Sequence, residues 1–344
     1  MVQINFTEKL LNWYYLNKRD LPWRKSSDPY VIWVSEIILQ QTKIQQGIPY
    51  FKRFIDKFPC VTALAQTSSD DLMNVWQGLG YYTRALNMHK TAKIVVDKFS
   101  GNFPGTYETL IMLPGIGDYT ASAISSICNN EYKIVVDGNV MRLFSRLFKL
   151  ENRINSLDLK RNIKKIGNEL IINSNPGDFN QALMDYGSTI CSPKNYQCDK
   201  CIFSNDCLAL KNNIVNSLPI KKNPTKIKNR FFNYLIGVSK NNKIKISKRI
   251  KKDIWNNLYE FPLIETKQII NYEQTDEVFS HISYFSKEKL FKETMVNHKL
   301  SHQNLKIKFW LFNCDYEDKS FVKINILKSY PFPKPIFNII SLIQ

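Results

Sequence analysis

Four cysteines crowd into a short stretch as Cys191-x6-Cys198-x2-Cys201-x5-Cys207. Thiolates this close can wrap one metal centre, and soft sulfur ligands favour zinc or an iron–sulfur cluster. Spacing alone leaves both open, although the long first gap is unlike the paired CxxC of zinc ribbons. Two carboxylates are the next candidates. Glu36 sits in Val34-Ser-Glu-Ile-Ile-Leu-Gln-Gln-Thr. On a helix it shares a polar face with Gln40 and Lys43, while Val34, Ile37 and Ile38 are apolar. Such a Glu is either a solvated face residue or, if buried, a general acid whose pKa is raised by desolvation. Asp137, in Val135-Val-Asp-Gly-Asn-Val, suits the N-cap of a following helix. A capping carboxylate stays ionised and can also face a developing cation.

These groups need elements to hold them. Ala85, Met88, Ala92, Val95 and Phe99 recur at helical spacing and predict a helix over 84–99; Val140, Leu143, Phe144, Leu147 and Leu150 predict another. Gly and Pro mark joints at 78–80, 103–105 and 114–117. In the last of these, Leu113-Pro-Gly-Ile-Gly-Asp-Tyr-Thr-Ala, Gly115 and Gly117 let the backbone turn tightly and present N–H groups at a helix start, which suits a phosphate. Beyond Cys207 the pattern changes. Residues 211–230 hold Pro219, Pro224 and many Lys and read as a linker. Strand-like runs follow at 231–238, 243–249 and 306–313, with a hairpin turn at 240–243. The organisation expected is a helical domain over 1–210, a basic linker over 211–230 and a smaller α+β domain over 231–344.

Composition sets the partner class. The 344 residues carry 48 Lys+Arg against 30 Asp+Glu, a formal charge of +18. A protein this basic usually meets a polyanion, because phosphates release counterions when Lys and Arg replace them. No apolar run reaches the roughly 18 residues that span a bilayer, so no membrane partner is expected. No export signal is visible, so an intracellular, cytoplasmic, DNA-associated protein is expected. There a cysteine cluster reads as metal binding rather than disulfides. No heptad seam appears, and a monomer is the default.

From Leu21-Pro-Trp-Arg through 34–42, Gly78-Leu-Gly-Tyr-Tyr-Thr-Arg, the 113–121 hairpin, 135–140, Asn180-Gln-Ala-Leu-Met-Asp-Tyr-Gly and the cysteine loop, the chain resembles the MutY adenine DNA glycosylases of the helix-hairpin-helix superfamily. The resemblance is nearly continuous to Cys207. It implies a mainly α glycosylase domain with a [4Fe–4S] cluster on Cys191, Cys198, Cys201 and Cys207. It also implies a Nudix-like C-terminal domain, matched at Trp255, Glu260-Phe-Pro and Leu300-Ser-His-Gln. No Gly- and Glu-rich Nudix catalytic box is present, so no pyrophosphatase activity is expected.

The same resemblance implies Glu36 and Asp137 as catalytic carboxylates and a pocket for adenine lined by Arg24, Leu39 and Ile44. Gln41 and Tyr82 would wedge into the base stack; on the residues alone, one of Tyr81 and Tyr82 reads as core beside a Gly-rich turn. Tyr119 occupies the place where lyase-competent relatives carry a nucleophilic Lys, so the reaction should stop at an abasic site. Ser301 and His302 would read 8-oxoguanine opposite the target, with Leu300 replacing the family's usual Phe. The substrate implied is double-stranded DNA holding A:8-oxoG or A:G mispairs. The rivals are an endonuclease III-like pyrimidine glycosylase with lyase activity and a DNA-binding protein without activity.

Overall fold

The structure, a computed structural model, describes residues 5–221, 227–279, 282, 285 and 287–343. The chain forms two compact units. One joins Met1–Gln66 to Asn87–Asn223, and the other joins Thr67–Leu86 to Pro224–Gln344.

The first unit is helical. It contains α1 (Phe6–Asn17), α2 (Pro29–Leu39), α3 (Ile44–Lys57) and α4 (Val61–Gln66). The helix α5 (Ser69–Trp76) belongs to the second unit, and α6 (Thr83–Phe99) runs from there back into the first. Then come α7 (Tyr107–Leu110), α8 (Asp118–Cys128), α9 (Gly138–Leu147), α10 (Leu157–Leu170), α11 (Pro176–Thr189) and α12 (Leu208–Lys211). Several starts are written in the sequence. Asp28 accepts the Tyr30 N–H at 2.8 Å ahead of Pro29, and Asn175 accepts the Asp178 N–H at 2.8 Å ahead of Pro176.

The expected helices over 84–99 and from Val140 appear as α6 and α9. The second ends early, because Lys149 turns to φ +50°. Phe144, Phe179, Leu183 and Tyr186 lie at the centre of an apolar cluster joining α1, α9, α10 and α11. The helices α9 and α11 approach closely at Gly187, where a Cβ would lie 2.9 Å from the Asn139 carbonyl oxygen.

The second unit is built on β1 (Lys228–Ser239), β2 (Lys243–Lys245), β3 (Ser247–Lys248), β4 (Tyr259–Glu260), β5 (Leu263–Thr266), α13 (Thr275–Phe279), β6 (Leu290–Lys299), β7 (Gln303–Cys314), β8 (Phe321–Lys323) and α14 (Lys334–Ile343). Its main sheet has the order β6-β7-β1-β2-β8, with β5 also on β1. The long central pair β1 and β7 is parallel, in register from Lys228↔Gln303 to Ser239↔Cys314. The strand-like runs at 231–238 and 306–313 fall in β1 and β7, and the turn at 240–243 forms with Asn242 at φ +54°. The run at 243–249 breaks into β2 and β3, which join different sheets. Leu235, Trp310 and Phe312 anchor the core.

Two expectations about boundaries change. The first half of the stretch read as linker is packed: Val215 and Leu218 are buried, and the Ile154 N–H donates to the Ile220 carbonyl at 2.8 Å. Its apolar residues make it part of the helical unit, despite its lysines. Residues 222–226 lie outside the described residues, and β1 has already begun at Lys228. The segment Thr67–Leu86, placed by sequence in the helical domain, groups with the second unit. There Lys248 pairs with Asp70 at 2.5 Å, and the Asn74 amide donates to the Ser329 carbonyl at 2.7 Å.

Phe144 is fully buried against Phe6 and Phe148. Phe144→Ala should cost about 3–5 kcal/mol through the lost burial and the cavity left behind. A urea titration followed by circular dichroism reads this; an unchanged midpoint would contradict the packing described.

Candidate active site and metal centre

A pocket of about 240 Å³ opens in the helical unit between α2, the start of α3, α8, α11 and the turn before α9. Glu36, Tyr119, Asp137, Arg24, Leu39 and Ile44 all line it. Of the other residues singled out from sequence, Gln41, Tyr82, Gly115, Gly117, Ser301 and His302 are not among its lining.

Glu36 stands on α2, whose residues from Ile32 to Ile38 are all buried, and is itself 8% exposed. The polar face it was expected to share with Gln40 and Lys43 does not form, because the helix ends at Leu39 and Gln41 turns to φ +59°. Burial pushes the Glu36 carboxyl up to about 7; a hydrogen bond with Tyr119 lowers it, Asp137 raises it, and Arg24 lowers it. Burial likewise raises the Tyr119 phenol well above its usual range, with Glu36 and Asp137 adding to it. The phenol also lies 3.5 Å from the Met184 sulfur.

Asp137 is the N-cap of α9. Its Oδ1 accepts the backbone N–H groups of Asn139 (2.9 Å) and Val140 (2.7 Å), and its Oδ2 accepts the Asn139 amide at 2.8 Å. Burial raises its pKa, opposed by these three donors and by Arg142. Two neighbouring carboxylates therefore differ: Asp137 is surrounded by donors at a helix N-terminus, and Glu36 by apolar side chains. Burial raises both groups; three donors and Arg142 oppose that rise at Asp137, and the Tyr119 phenol and Arg24 oppose it at Glu36.

Four residues that the sequence did not single out hold these groups. Asn180 is fully buried; it accepts the Val135 N–H at 3.0 Å and donates to the Lys133 carbonyl at 2.8 Å, fixing the irregular segment before Asp137. Arg142, one turn into α9, donates to Asn139 Oδ1 (2.9 Å), the Gly187 carbonyl (2.6 Å) and the Cys191 carbonyl (2.7 Å). A continuous chain of hydrogen bonds thus runs from the cysteine loop through Arg142 and Asn139 to Asp137. Asp185 accepts a two-pronged contact from Arg24 at 2.8 and 2.9 Å and a further bond from Arg19, which pins Arg24 at the pocket wall. Arg146 plays the same part at the cysteine loop. A buried polar residue surrounded by helix-forming neighbours leaves no spacing signal, so only the motif context of Asn180 and Asp185 hinted at them.

Cys191, Cys198, Cys201 and Cys207 line one small cavity beneath Leu143, Leu147 and Phe203. Arg146, 3% exposed, donates to Cys191 Sγ at 3.4 Å, to the Ser192 carbonyl at 2.9 Å, and to the Val215 and Leu218 carbonyls at 3.0 Å. Among the described residues no three His, Cys, Asp or Glu are grouped closely enough to hold one metal ion. The four thiols line one cavity, and soft sulfur donors of this kind suit zinc or an iron–sulfur cluster.

The hairpin between α7 and α8 exposes Gly115 and Gly117. Gly115 needs its φ of +78°, and a Cβ there would come 2.7 Å from Asn87 Cβ. In the second unit, the two tyrosines of the Gly-rich turn differ in exposure. Tyr82 is buried at 8% exposure, whereas Tyr81, at φ +47°, is 51% exposed. The left-handed turn sends Tyr81 outward over Arg84, whose guanidinium also donates to the Leu79 and Gly80 carbonyls. Ser301 and His302 are exposed at the tip of the β6–β7 hairpin, with the Leu300 N–H donating to the Gln303 carbonyl at 2.8 Å.

The family model for HhH-GPD superfamily base excision DNA repair proteins matches residues 34–169, and that for the NUDIX domain matches residues 233–342. The chain is a helix-hairpin-helix base excision DNA repair protein with a NUDIX-type second domain. Among curated proteins, the adenine DNA glycosylase of Buchnera aphidicola subsp. Schizaphis graminum is 38% identical over 263 residues, 76% of each chain. That of Buchnera aphidicola subsp. Baizongia pistaciae is 36% identical over 312 residues, 89% of this chain and 86% of its own. This chain belongs to the adenine DNA glycosylase family. Its fold matches a thermostable thymine-DNA glycosylase with TM-score 0.56 at 25% identity, over 61% of this chain and 97% of that one. It also matches endonuclease III in a trapped covalent complex with DNA, with TM-score 0.52 at 20% identity, over 60% and 95%. No described helix is long and apolar enough to cross a membrane.

The raised Glu36 pKa has a sign. The fold favours the protonated form, so its contribution is fully present below the unfolded value near 4.5 and is lost as pH rises through about 7. Above that, keeping Glu36 ionised in place costs on the order of 3 kcal/mol. Glu36→Gln should therefore be more stable than the parent at pH 8 but not at pH 4, as measured by denaturant titration at both values. Equal stability of the two proteins at pH 8 would mean that Glu36 is solvated.

Proposed function

We propose that this protein excises adenine mispaired with 8-oxoguanine, or with guanine, from duplex DNA, and that the reaction stops at an abasic site. The observation that carries the reading is the pairing in one pocket of a buried Glu36, with a pKa near 7, and a capped Asp137. Two carboxylates in opposite protonation states are what glycosidic cleavage generally needs.

The adenine flips out of the stack into the pocket. Its volume suits one planar base, since sites for drug-sized ligands run from about 300 to 1,000 Å³. Glu36 gives its proton to a ring nitrogen. The C1′–N9 bond breaks with its electron pair going to the base, so adenine leaves neutral. Positive charge then grows on the sugar, and the Asp137 carboxylate stabilises it. Water adds to C1′, and its proton returns to a carboxylate. Tyr119 hydrogen-bonds Glu36 and holds it toward the base. Among the described residues no lysine lines the pocket, so no amine is set to attack the sugar and cut the strand.

The remaining parts act on DNA. Gly115 and Gly117 offer backbone to a phosphate, the net +18 charge supplies affinity without sequence preference, and Gln41 and Tyr82 fill the gap left by the flipped base. Adenine is everywhere in DNA, so the pocket alone cannot decide which adenine is wrong. Ser301 and His302 read the opposite base and supply that decision. Cys191, Cys198, Cys201 and Cys207 would hold a [4Fe–4S] cluster, which would tie the loop together. The protein acts as a monomer.

Single-turnover cleavage of an A:8-oxoG duplex should yield breaks only after alkali, with A:T and thymine-glycol duplexes left intact. Glu36→Gln should abolish base release while DNA binding persists. Cutting at thymine glycol without alkali would assign the chain to pyrimidine glycosylases with lyase activity, and binding without any adenine release would assign it to DNA-binding proteins. Purified protein should carry about four iron atoms per chain with a visible absorbance, and Cys198→Ser should lose both. Zinc in place of iron would overturn the cluster assignment.

A further inference from the structure

The β6–β7 hairpin carries a feature that the proposed reading does not use. Gln303, the first residue of β7, is 9% exposed although it follows two exposed residues. Its side chain bridges two partners. Its Oε1 accepts from Arg230 Nη1 at 3.1 Å, and its Nε2 lies 2.8 Å from His302 Nε2. Arg230 is buried on β1, two residues beyond the Lys228↔Gln303 pair, and all five of its N–H groups are matched by acceptors. Two go to Asp253 (2.9 and 2.8 Å), two to Glu265 (2.7 Å each) and one to Gln303. The parallel pairing also ties the hairpin backbone down, with the Lys228 N–H donating to the His302 carbonyl at 3.2 Å.

The orientation of this chain of bonds is forced. A guanidinium has only donors, so the Gln303 oxygen must face Arg230 and its NH₂ must face His302. The His302 Nε2 must then accept, which places the ring proton on Nδ1. That nitrogen lies 3.2 Å from Ser301 Oγ. The Nδ1–H therefore occupies one lone pair of the serine oxygen and leaves the serine's own proton free to donate elsewhere. With the opposite tautomer the serine proton would be spent on Nδ1, and only lone pairs would be left for a base.

We propose that Gln303, oriented by the buried Arg230, is a positioning residue that fixes His302 as the Nδ1–H tautomer and so presents Ser301 as one donor beside one acceptor. This rests on the reading of Ser301 and His302 as the segment that meets the opposite base. A donor beside an acceptor complements the edge of a purine oxidised at C8, which offers the O8 carbonyl next to N7–H. Unoxidised guanine offers only the N7 acceptor there.

The test uses the full chain with its metal centre intact. Gln303→Glu keeps the contact with Arg230 but turns an acceptor-only group toward His302, which selects the proton on Nε2. Gln303→Leu removes the bond. Long-range proton–nitrogen spectra of the imidazole, assigned by loss of the signal in His302→Asn, should show the Nδ1–H form in the parent and the Nε2–H form in Gln303→Glu. In single-turnover assays both Gln303 variants should lose about tenfold of the preference for A:8-oxoG over A:G, the scale of one hydrogen bond. A parent imidazole carrying its proton on Nε2, or an undiminished preference in Gln303→Glu, would overturn the proposal. If Gln303→Leu does not fold, Gln303→Glu decides. A preference untouched in Ser301→Ala and His302→Asn would instead sink the recognition reading, while the spectra would still decide what Gln303 does to the ring.

Discussion

The interaction on which most of the helical unit depends is the grip of the Arg142 guanidinium on three separate segments. It binds the Cys191 carbonyl at the start of the cysteine loop, the Gly187 carbonyl near the end of α11, and the Asn139 side chain that holds Asp137. A buried cation satisfied by carbonyl dipoles is costly to leave half-paired, because each lost bond exposes an uncompensated charge. The arrangement therefore has little freedom. Gly187 has no side chain because α9 approaches there, and Arg142 reaches its carbonyl because they are close. The cysteine loop and the site carboxylate are then positioned by the same few bonds.

The pocket shows how environment divides one chemical type into two roles. Glu36 and Asp137 are both carboxylates against the same cavity. Glu36 emerges from a helix buried on every side and meets one phenol, so desolvation dominates. Asp137 caps a helix and accepts three hydrogen bonds. Arg24 adds positive potential from the wall without a salt bridge to either, because Asp185 already holds it. An excess of positive charge nearer Glu36 would favour its ionised form and remove the acid.

The second unit uses buried charge differently. Arg230 and Arg249 share Asp253, and Arg249 also meets Glu260 at 2.8 Å. Around Asp253 this draws its carboxyl far below the usual range. The network connects β1, β5 and the segment before β4, whose side chains would otherwise have no common partner. Specific hydrogen-bond geometry, more than net energy, is what such a network contributes.

The sequence by itself determined the chemistry. Four clustered thiols, an Asp suited to cap a helix, a Pro-Gly-x-Gly turn and periodic apolar residues each act through neighbours a few positions away, so their roles survive in the order of the chain. The sequence also carried the family resemblance and the two long runs that form β1 and β7. What it left undecided were distances along long paths and the direction in which a side chain points. Whether Glu36 lay on a solvated face or in a buried pocket depended on where α2 stopped and what covered it. Whether Tyr81 or Tyr82 faced outward depended on one left-handed φ. That residues 215–220 pack, and that Thr67–Leu86 groups with the second unit, depended on partners far away in sequence. Arg142, Arg230 and Gln303 gave no signal, because an ordinary polar residue becomes decisive only when the fold buries it among fixed donors and acceptors. Local chemistry is written along the chain; burial and hydrogen-bond direction are properties of the folded whole.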